Sequence, residues 1–460
     1  MKETPLETKA RRVVERLREG GYEAYFAGGA VRDRLMEIPP EDVDIATSAP
    51  PGEVMNLFPR TFPVGVAFGV VLVRHEGHTF EVATFRSESG YFDGRRPTNV
   101  VFSSAEEDVK RRDFTINGML YDPLTKEVVD FVGGREDLKN KIIKAIGNPR
   151  DRFAEDHLRL IRAVRFASRL DFSIHKDTWE ALRMLGPSIS SVSPERFKDE
   201  FLKILTGPRS RTAVERLDET GMLRQWIPEV TNLQNVVQPP NYHPEGDVWN
   251  HTLKCLEMME QVHGEQSPPS EALALSVLLH DTGKAIVTRI NGNGRPTAHG
   301  HVRESKAIAD TICARLKTSK ALKTKVTAIV GDHDKPALAP RMKLSKLKRL
   351  LREPHFPELL ELHRIDRMAG SNDLSGWTFL KDAMEKHKGE SMEPEPLLTG
   401  KDLADMGYSP GPEFGRVLRI IEDAQLDEKI KSREEAAALA RKTLGAPAHS
   451  SETVSRKPDP

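Results

Sequence analysis

The 460-residue chain has two cysteines, no net charge and no long apolar run, and each scarcity removes a class of protein. Cys255 and Cys313 show no paired metal-binding spacing and are too few for a disulfide framework, so they read as buried apolar residues in a reducing compartment. Lys and Arg together number 69, as do Asp and Glu. Any nucleic acid must then be held by local basic faces rather than by a global positive field. The opening MKETPLETKARRVVERLREG is charged and amphipathic and resembles neither a signal peptide nor a membrane span, which gives the expectation of a cytoplasmic protein without a membrane partner. No internal repeat is visible. The stretch from Ala446 onward, APAHSSETVSRKPDP, is rich in Pro and Ser, lacks aromatic residues and reads as a disordered tail. The rest suffices for about two to four domains with ordinary cores.

The chain is organised around FAGGAVRDRLMEIPPEDVDIAT, Phe26 to Thr47. It reads as a strand, a glycine turn, a short helix and a second strand ending in two carboxylates. Gly28 and Gly29 allow backbone N–H groups to turn toward a phosphate at a helix start. Asp42 and Asp44 are two apart on a strand and project from one face, where they can hold a divalent metal. Downstream, VGVAFGVVLVRHEGHTFEVATFR reads as a hairpin whose second strand offers Glu81 as a third carboxylate. Ser87 to Asp108 has little periodicity and reads as a mobile loop. A single helix is expected over Ala154 to Leu170. On it Asp156 and Arg159, three apart, would share a face.

A carboxylate accepts from the amino group that cytosine and adenine both carry, and a guanidinium donates to their ring nitrogen. Uracil and guanine offer a carbonyl beside an N–H instead and would be refused. Arg162, Arg165 and Arg169 follow at helical spacing. They could extend a basic face toward triphosphate or RNA, and a solvated charged face accounts equally well for the later two.

Taken in order, GGAVRD, DVDIAT, RRDFTIN and EDHLRLIRAVRFA resemble the bacterial CCA-adding tRNA nucleotidyltransferases and their relatives the bacterial poly(A) polymerases, members of the polymerase-β-type nucleotidyltransferases. The resemblance implies Mg²⁺ at Asp42 and Asp44, with Glu81 beside them as the catalytic carboxylates. It implies nucleotide contacts from Gly28, Gly29, Arg32, Asp33, Arg112, Asp113, Asn117, Asp156, Arg159, Arg162 and Arg165. It also places Asp93, Arg95 and Arg96 in a loop that helps switch nucleotides, and makes Glu195, Arg196 and Glu200 support for the base-reading helix. The partners implied are tRNA, CTP and ATP.

From HPEGDVWNHTL onward the chemistry changes. His251 lies on a helix, His280 and Asp281 end the apolar LALSVLLHD, and Asp366 is far downstream. This order, with Thr282-Gly283-Lys284 after the pair, resembles the HD phosphohydrolases. It implies a divalent metal of unspecified identity at His251, His280, Asp281 and Asp366, with His301 and His333 as additional candidates. In related nucleotidyltransferases the implied activity is hydrolysis of 2′,3′-cyclic and 2′-linked phosphates. The basic runs near 315 to 325 and 341 to 352 could touch RNA phosphates or simply face solvent.

The expected fold is α+β. A polymerase-β-type head with a small mixed sheet (1–147) precedes an all-helical neck and body (148–240) that binds the base and tRNA. A helical HD domain (241–390), a helical C-terminal region (391–445) and the tail (446–460) follow. The expected reaction is metal-assisted addition of CCA to the tRNA 3′ end. The rivals are a poly(A) polymerase, an enzyme adding only CC or only A, and a metal-dependent phosphohydrolase with an RNA-binding head. Sequence leaves the oligomeric state open.

Overall fold

A computed structural model of the chain describes residues 3–64, 68–91, 97–264, 267–387 and 395–445. Asp93, Arg95 and Arg96 and the tail from 446 lie outside them.

The first helix, α1 (Pro5–Glu19), starts at a capping box formed by Thr4 and Glu7 and buries Val13, Val14 and Leu17. It leads into β1 (Ala24–Ala27), α2 (Gly29–Leu35), β2 (Asp44–Thr47), α3 (Pro51–Leu57) and β3 (Thr61–Phe62). After these come β4 (Val70–His75), β5 (His78–Thr84), β6 (Arg86–Tyr91), β7 (Pro97–Phe102), α4 (Ala105–Lys110), β8 (Met119–Asp122), β9 (Glu127–Asp130) and α5 (Gly134–Lys139). Seven of these strands form one mixed sheet in the order β3-β4-β5-β2-β1-β8-β9. Its apolar faces bury Phe26, Ile45, Val71 and Val82 on one side and Ala46, Phe85 and Leu120 on the other. Segment 87–108, expected as a loop, is largely regular: β6 and β7 pair antiparallel from Arg86↔Phe102 to Tyr91↔Pro97, and α4 follows. The pairing supplies order that the local pattern does not announce.

The next region is helical: α6 (Pro149–Glu155), α7 (Leu158–Leu170), α8 (Lys176–Leu185), α9 (Pro194–Leu205), α10 (Ser210–Glu219), α11 (Met222–Trp226) and α12 (Pro228–Thr231). The single helix expected over 154–170 is two. Asp156 is extended at φ −142°, and its carboxylate accepts from the Leu158 N–H, an interaction that competes with helix continuation. Ser193 stands at the N-cap of α9, but its hydroxyl makes no capping bond.

The remaining helices are α13 (Val248–His263), α14 (Glu271–Leu279), α15 (Lys284–Val287), α16 (His301–Arg315), α17 (Lys320–Asp332), α18 (Lys335–Leu338), α19 (Leu344–Leu351), α20 (Phe356–Ala369) and α21 (Ser375–Lys386). Then come α22 (Gly400–Asp405), α23 (Pro412–Leu426) and α24 (Arg433–Leu444). One apolar core runs from Phe153 and Leu160 through Phe197 to Leu256, Leu278 and Leu362, so residues on both sides of 240/241 share it. The last three helices carry a small core of their own around Leu403, Val417 and Ile421.

The two basic runs are largely matched by acids within the chain. Arg315 pairs with Glu229, Lys317 with Glu195, Lys325 with Glu358, and Arg349 with Glu422 and Asp423. Their spare positive charge for an RNA backbone is correspondingly small.

Glu200 on α9 receives Arg165 of α7 at 2.6 Å, both nearly buried. Removing one partner of such a pair strands the other charge in low dielectric. Glu200→Ala should therefore destabilise the chain by about 3 kcal/mol in urea unfolding. Glu195→Ala, whose partner Lys317 is solvent-exposed, should leave the midpoint unchanged.

Candidate functional site

Ala27 pairs with Asp44 across β1 and β2, so the residue after Ala27 turns beside that carboxylate. That residue is Gly28, at φ 68° and ψ −132°, a conformation that side chains other than hydrogen rarely adopt. A methyl group there would lie 3.4 Å from Arg112 Nη1 and 3.8 Å from Asp44 Oδ2. The glycine corner, the strand carboxylate and Arg112 thus meet at one point.

Asp44 opens β2 rather than ending it, and Asp42 stands in the run-in with buried Val43 between them, so both side chains still face one way. Parallel pairing of Ile45 with Val82 brings Glu81 alongside Asp44. The protein wall around Asp44 and the charges of Glu81 and Asp42 push its pKa up to about 6, against the pull of Arg112. Carboxylates this crowded favour a cation among them.

Arg112 is held from behind by buried Asp108, which also takes Arg111. Burial disfavours the Asp108 charge, but the two guanidinium groups hold its pKa below the usual carboxylate range. Asp113 is buried and accepts from the Asn117 amide at 3.2 Å and from Arg162 at 2.6 and 2.9 Å. Asn117 in turn accepts from buried Arg32 at 2.8 Å, and Arg32 also bonds Asp33. Arg32 and Asn117 therefore brace the corner from inside the protein.

Asp156 and Arg159 do not pair with each other. The Asp156 carboxylate takes the Leu158 N–H and two bonds from Arg196 of α9. With about four acceptor positions on a carboxylate, one stays open. Arg159 donates from Nη1 to Glu155 and the Arg152 carbonyl, and from Nη2 to the Arg111 carbonyl, next to Arg112. Of its five N–H groups two remain. The open positions suit one amino donor and one ring-nitrogen acceptor.

A groove of about 770 Å³ is lined by Asp33 and Asp42 of the head, Arg165 and Arg169 of α7, Lys203 of α9, and Met259 and His263 of α13. Arg165 is tied to Glu200, while Arg169 is exposed.

The second cluster gathers from five helices and their ends. His251 Nε2 lies 3.1 Å from Asp366 and 3.9 Å from Asp281. His280, His301 and His333 reach Asp281 at 3.4, 3.5 and 3.8 Å. All six expected residues thus meet around Asp281.

Tautomers follow from the outer bonds. Nδ1 of His280, His301 and His333 each faces a backbone carbonyl, and Nδ1 of His251 faces Glu245 at 2.5 Å. Carbonyls and carboxylates only accept, so in the neutral rings each Nδ1 carries the proton and each Nε2 presents a lone pair. Those of His301 and His333 stand 3.2 Å apart, and buried His280 Nε2 has no hydrogen-bond partner. Lone pairs facing one another need a cation, and an imidazole and carboxylate donor set suits a divalent metal. Burial lowers the pKa of His301, and burial with His280 takes His333 to about 4, so both rings are neutral at neutral pH.

Some residues of the site were not singled out from the sequence. Asp108 and Glu245 act on partners that sequence spacing only hints at, and Cys255, expected as mere filling, has its Sγ 3.5 Å from His251 Nε2. The i,i+4 spacing of Asp108 with Arg112 and of His251 with Cys255 was the available signal.

Residues 24–144 match the family model of the poly A polymerase head domain. Residues 171–233 match the probable RNA and SrmB-binding site of polymerase A, and residues 248–370 match the HD domain. Three family models thus match in series along the chain, that of the poly A polymerase head first and that of the HD domain last.

Curated CCA-adding enzymes are among the proteins this chain resembles. That of Anoxybacillus flavithermus is 45% identical over 236 residues, 51% of this chain and 59% of its own length. That of Bacillus cytotoxicus is 40% identical over 266 residues, 56% of this chain and 65% of its own. The chain thus spans less than two thirds of the length of the curated relatives it matches. The crystal structure of the Bacillus stearothermophilus CCA-adding enzyme in complex with CTP superposes with a TM-score of 0.71 at 28% identity, covering 96% of this chain and 98% of that one. Among the described residues no helix is long and apolar enough to cross a membrane.

Two outcomes follow from these geometries. Asp108→Asn should cost about 3 kcal/mol at neutral pH. Because the folded pKa is depressed, the stabilisation is complete above the unfolded carboxylate pKa of about 3.9 and lost as pH falls through the folded value. Urea unfolding at neutral and acid pH should show the wild type losing this increment and the variant lacking it throughout. Gly283 sits where a Cβ would be 2.2 Å from the His301 carbonyl oxygen and 2.6 Å from Ser305 N. Gly283→Ala should push α16 away from Asp281, and a metal titration of the full chain should show weakened binding.

Proposed function

We propose that the chain is a tRNA nucleotidyltransferase that adds C, C and A to the tRNA 3′ end from CTP and ATP in the cytoplasm. In this reading residues 1–147 form the catalytic head, 148–240 the base- and tRNA-binding region and 241–390 a phosphohydrolase-like domain. The reading rests on one observation: the Gly28, Asp44 and Arg112 corner is joined, through Arg111, Asp113 and Arg162, to the segment carrying Asp156 and Arg159.

Asp42 and Asp44, with Glu81 beside them, would hold Mg²⁺, whose hard oxygen-ligand preference fits an all-carboxylate set. When bound, the metal neutralises triphosphate charge and favours ionisation of the attacking 3′-hydroxyl. Arg112 and the N–H groups after Gly28 place the phosphates so that the hydroxyl attacks the α-phosphorus and pyrophosphate leaves in line. The open acceptor position of Asp156 takes the amino group of cytosine or adenine, and a free N–H of Arg159 meets the ring nitrogen. Uracil and guanine would leave both groups mispaired, a penalty of orders of magnitude in a closed pocket.

At the second site the imidazoles of His251, His280, His301 and His333 and the carboxylates of Asp281 and Asp366 would hold a divalent metal for phosphoester hydrolysis. Glu245 keeps His251 in the ligating tautomer.

Incubating the protein with tRNA ending at the discriminator base, with its CC form and with an unrelated RNA, each with single nucleotides, tests the assignment. C should add only to the first, A only to the CC form, and GTP and UTP should be used at least about 100-fold less well. Asp44→Asn should abolish addition and spare hydrolysis by the second site. Long A tracts on the unrelated RNA would identify a poly(A) polymerase instead, and equal use of all four nucleotides would defeat the template role of Asp156 and Arg159.

A further inference from the structure

Cys255 lies one helical turn after His251 on α13 and is completely buried. Its Sγ is 3.5 Å from His251 Nε2. One ligand atom each from His251, Cys255, His280 and Asp366 lies within 4.8 Å of all the others. These residues come from α13, the end of α14 and α20, so three separate segments bring four donors of metal-binding type to a common point.

Two independent features indicate that a cation belongs there. The His280 ring is buried, its Nδ1–H donates to the Val277 carbonyl at 2.9 Å, and its inward Nε2 makes no hydrogen bond, with the Asp281 carboxylate 3.4 Å away. The second is the size of the cage. A tetrahedral ion with bonds of about 2.0–2.1 Å to imidazole nitrogen and about 2.3 Å to thiolate sulfur has an N···S edge of about 3.5 Å. The observed separation between His251 Nε2 and Cys255 Sγ is 3.5 Å. For imidazole and carboxylate the same geometry gives an edge of about 3.3 Å, against 3.1 Å between His251 and Asp366.

We propose that Cys255 is a thiolate ligand of this site, completing a set of two imidazoles, one carboxylate and one sulfur that selects a zinc-like transition ion over Mg²⁺ or Ca²⁺. The proposal rests on the reading of the HD cluster as a metal site and adds to it the soft donor. Softness decides the selection: thiolate binds borderline and soft ions well and competes poorly with water for hard ones. On binding, the S–H proton leaves to solvent and the sulfur–metal bond takes its place, with no change of oxidation state. Asp281, His301 and His333 form a neighbouring group with only nitrogen and oxygen donors. The two halves of the cluster then differ in the ion each prefers, the sulfur half holding its ion more tightly.

The test uses the full chain, stripped with a chelator and titrated with Co²⁺ while its absorption is recorded. A thiolate ligand adds an intense near-ultraviolet sulfur-to-cobalt charge-transfer band that rises in step with the visible ligand-field bands. Cys255→Ser should lose the charge-transfer band, keep ligand-field bands, and bind Co²⁺ and Zn²⁺ at least about 10-fold more weakly. Cys313→Ser, which alters the other cysteine, should keep the band. Ligand-field bands in the wild type without the charge-transfer band would overturn the role of Cys255 and leave the HD metal site standing. A band that persists in Cys255→Ser would do the same. Absence of any cobalt spectrum would overturn both. The wild-type spectrum decides the question even if a variant folds poorly.

Discussion

The contact between buried Asp113 and half-buried Arg162 is the interaction on which the head and the helical region depend. Asp113 belongs to the segment after α4, and Arg162 to α7, 49 residues later. Burial alone would disfavour the Asp113 charge, but Arg162, the Asn117 amide and the Phe114 N–H hold its pKa below the ordinary range. Through Asn117 the same network reaches Arg32 and Asp33 on α2. Bonds in such a chain polarise one another, and a missing member leaves a buried group unpaired. The consequence is positional: the carboxylate corner cannot shift without moving the helix that carries Arg159 and Arg165.

The two candidate centres use different chemistry on a partly shared scaffold. The head offers only carboxylate oxygens, whereas the HD cluster offers imidazole nitrogen, carboxylate oxygen and sulfur. Their ions should therefore sort by hardness rather than compete. The helical core that packs α7 against α9 continues without a break into α13, α14 and α20, which hold His251, His280 and Asp366. The groove beside Asp42 is bounded on its far wall by Met259 and His263 of that same α13. The head, the neck and the first HD helix thus line one groove together.

Much of the site was legible because its signals are local. The conformation at Gly28 demands glycine, the alternation of Asp42, Val43 and Asp44 sets which side chains face outward, and His280-Asp281 marks the end of an apolar helix. Each depends on neighbours within a few residues, the range over which backbone geometry and periodicity act. The break at Asp156 was less visible. A side-chain bond to the Leu158 N–H and two bonds from Arg196, 40 residues away, favour an extended backbone inside a segment of high helical propensity. Similarly, the 86–102 hairpin draws its order from cross-strand pairing that polar, glycine-containing sequence does not advertise.

By itself the sequence determined the order of the motifs, the residue types available for phosphate, metal and base, and the local turns that present them, because these follow from covalent neighbours and short-range sterics. Only the tertiary structure decided which partner each charge would take. It paired the basic runs with Glu229, Glu195 and Glu422, spent much of Asp156 and Arg159 on the protein itself, and brought Cys255 beside His251 and Asp366. Such pairings depend on chain segments up to 122 residues apart meeting in the folded chain, and no local rule encodes that distance.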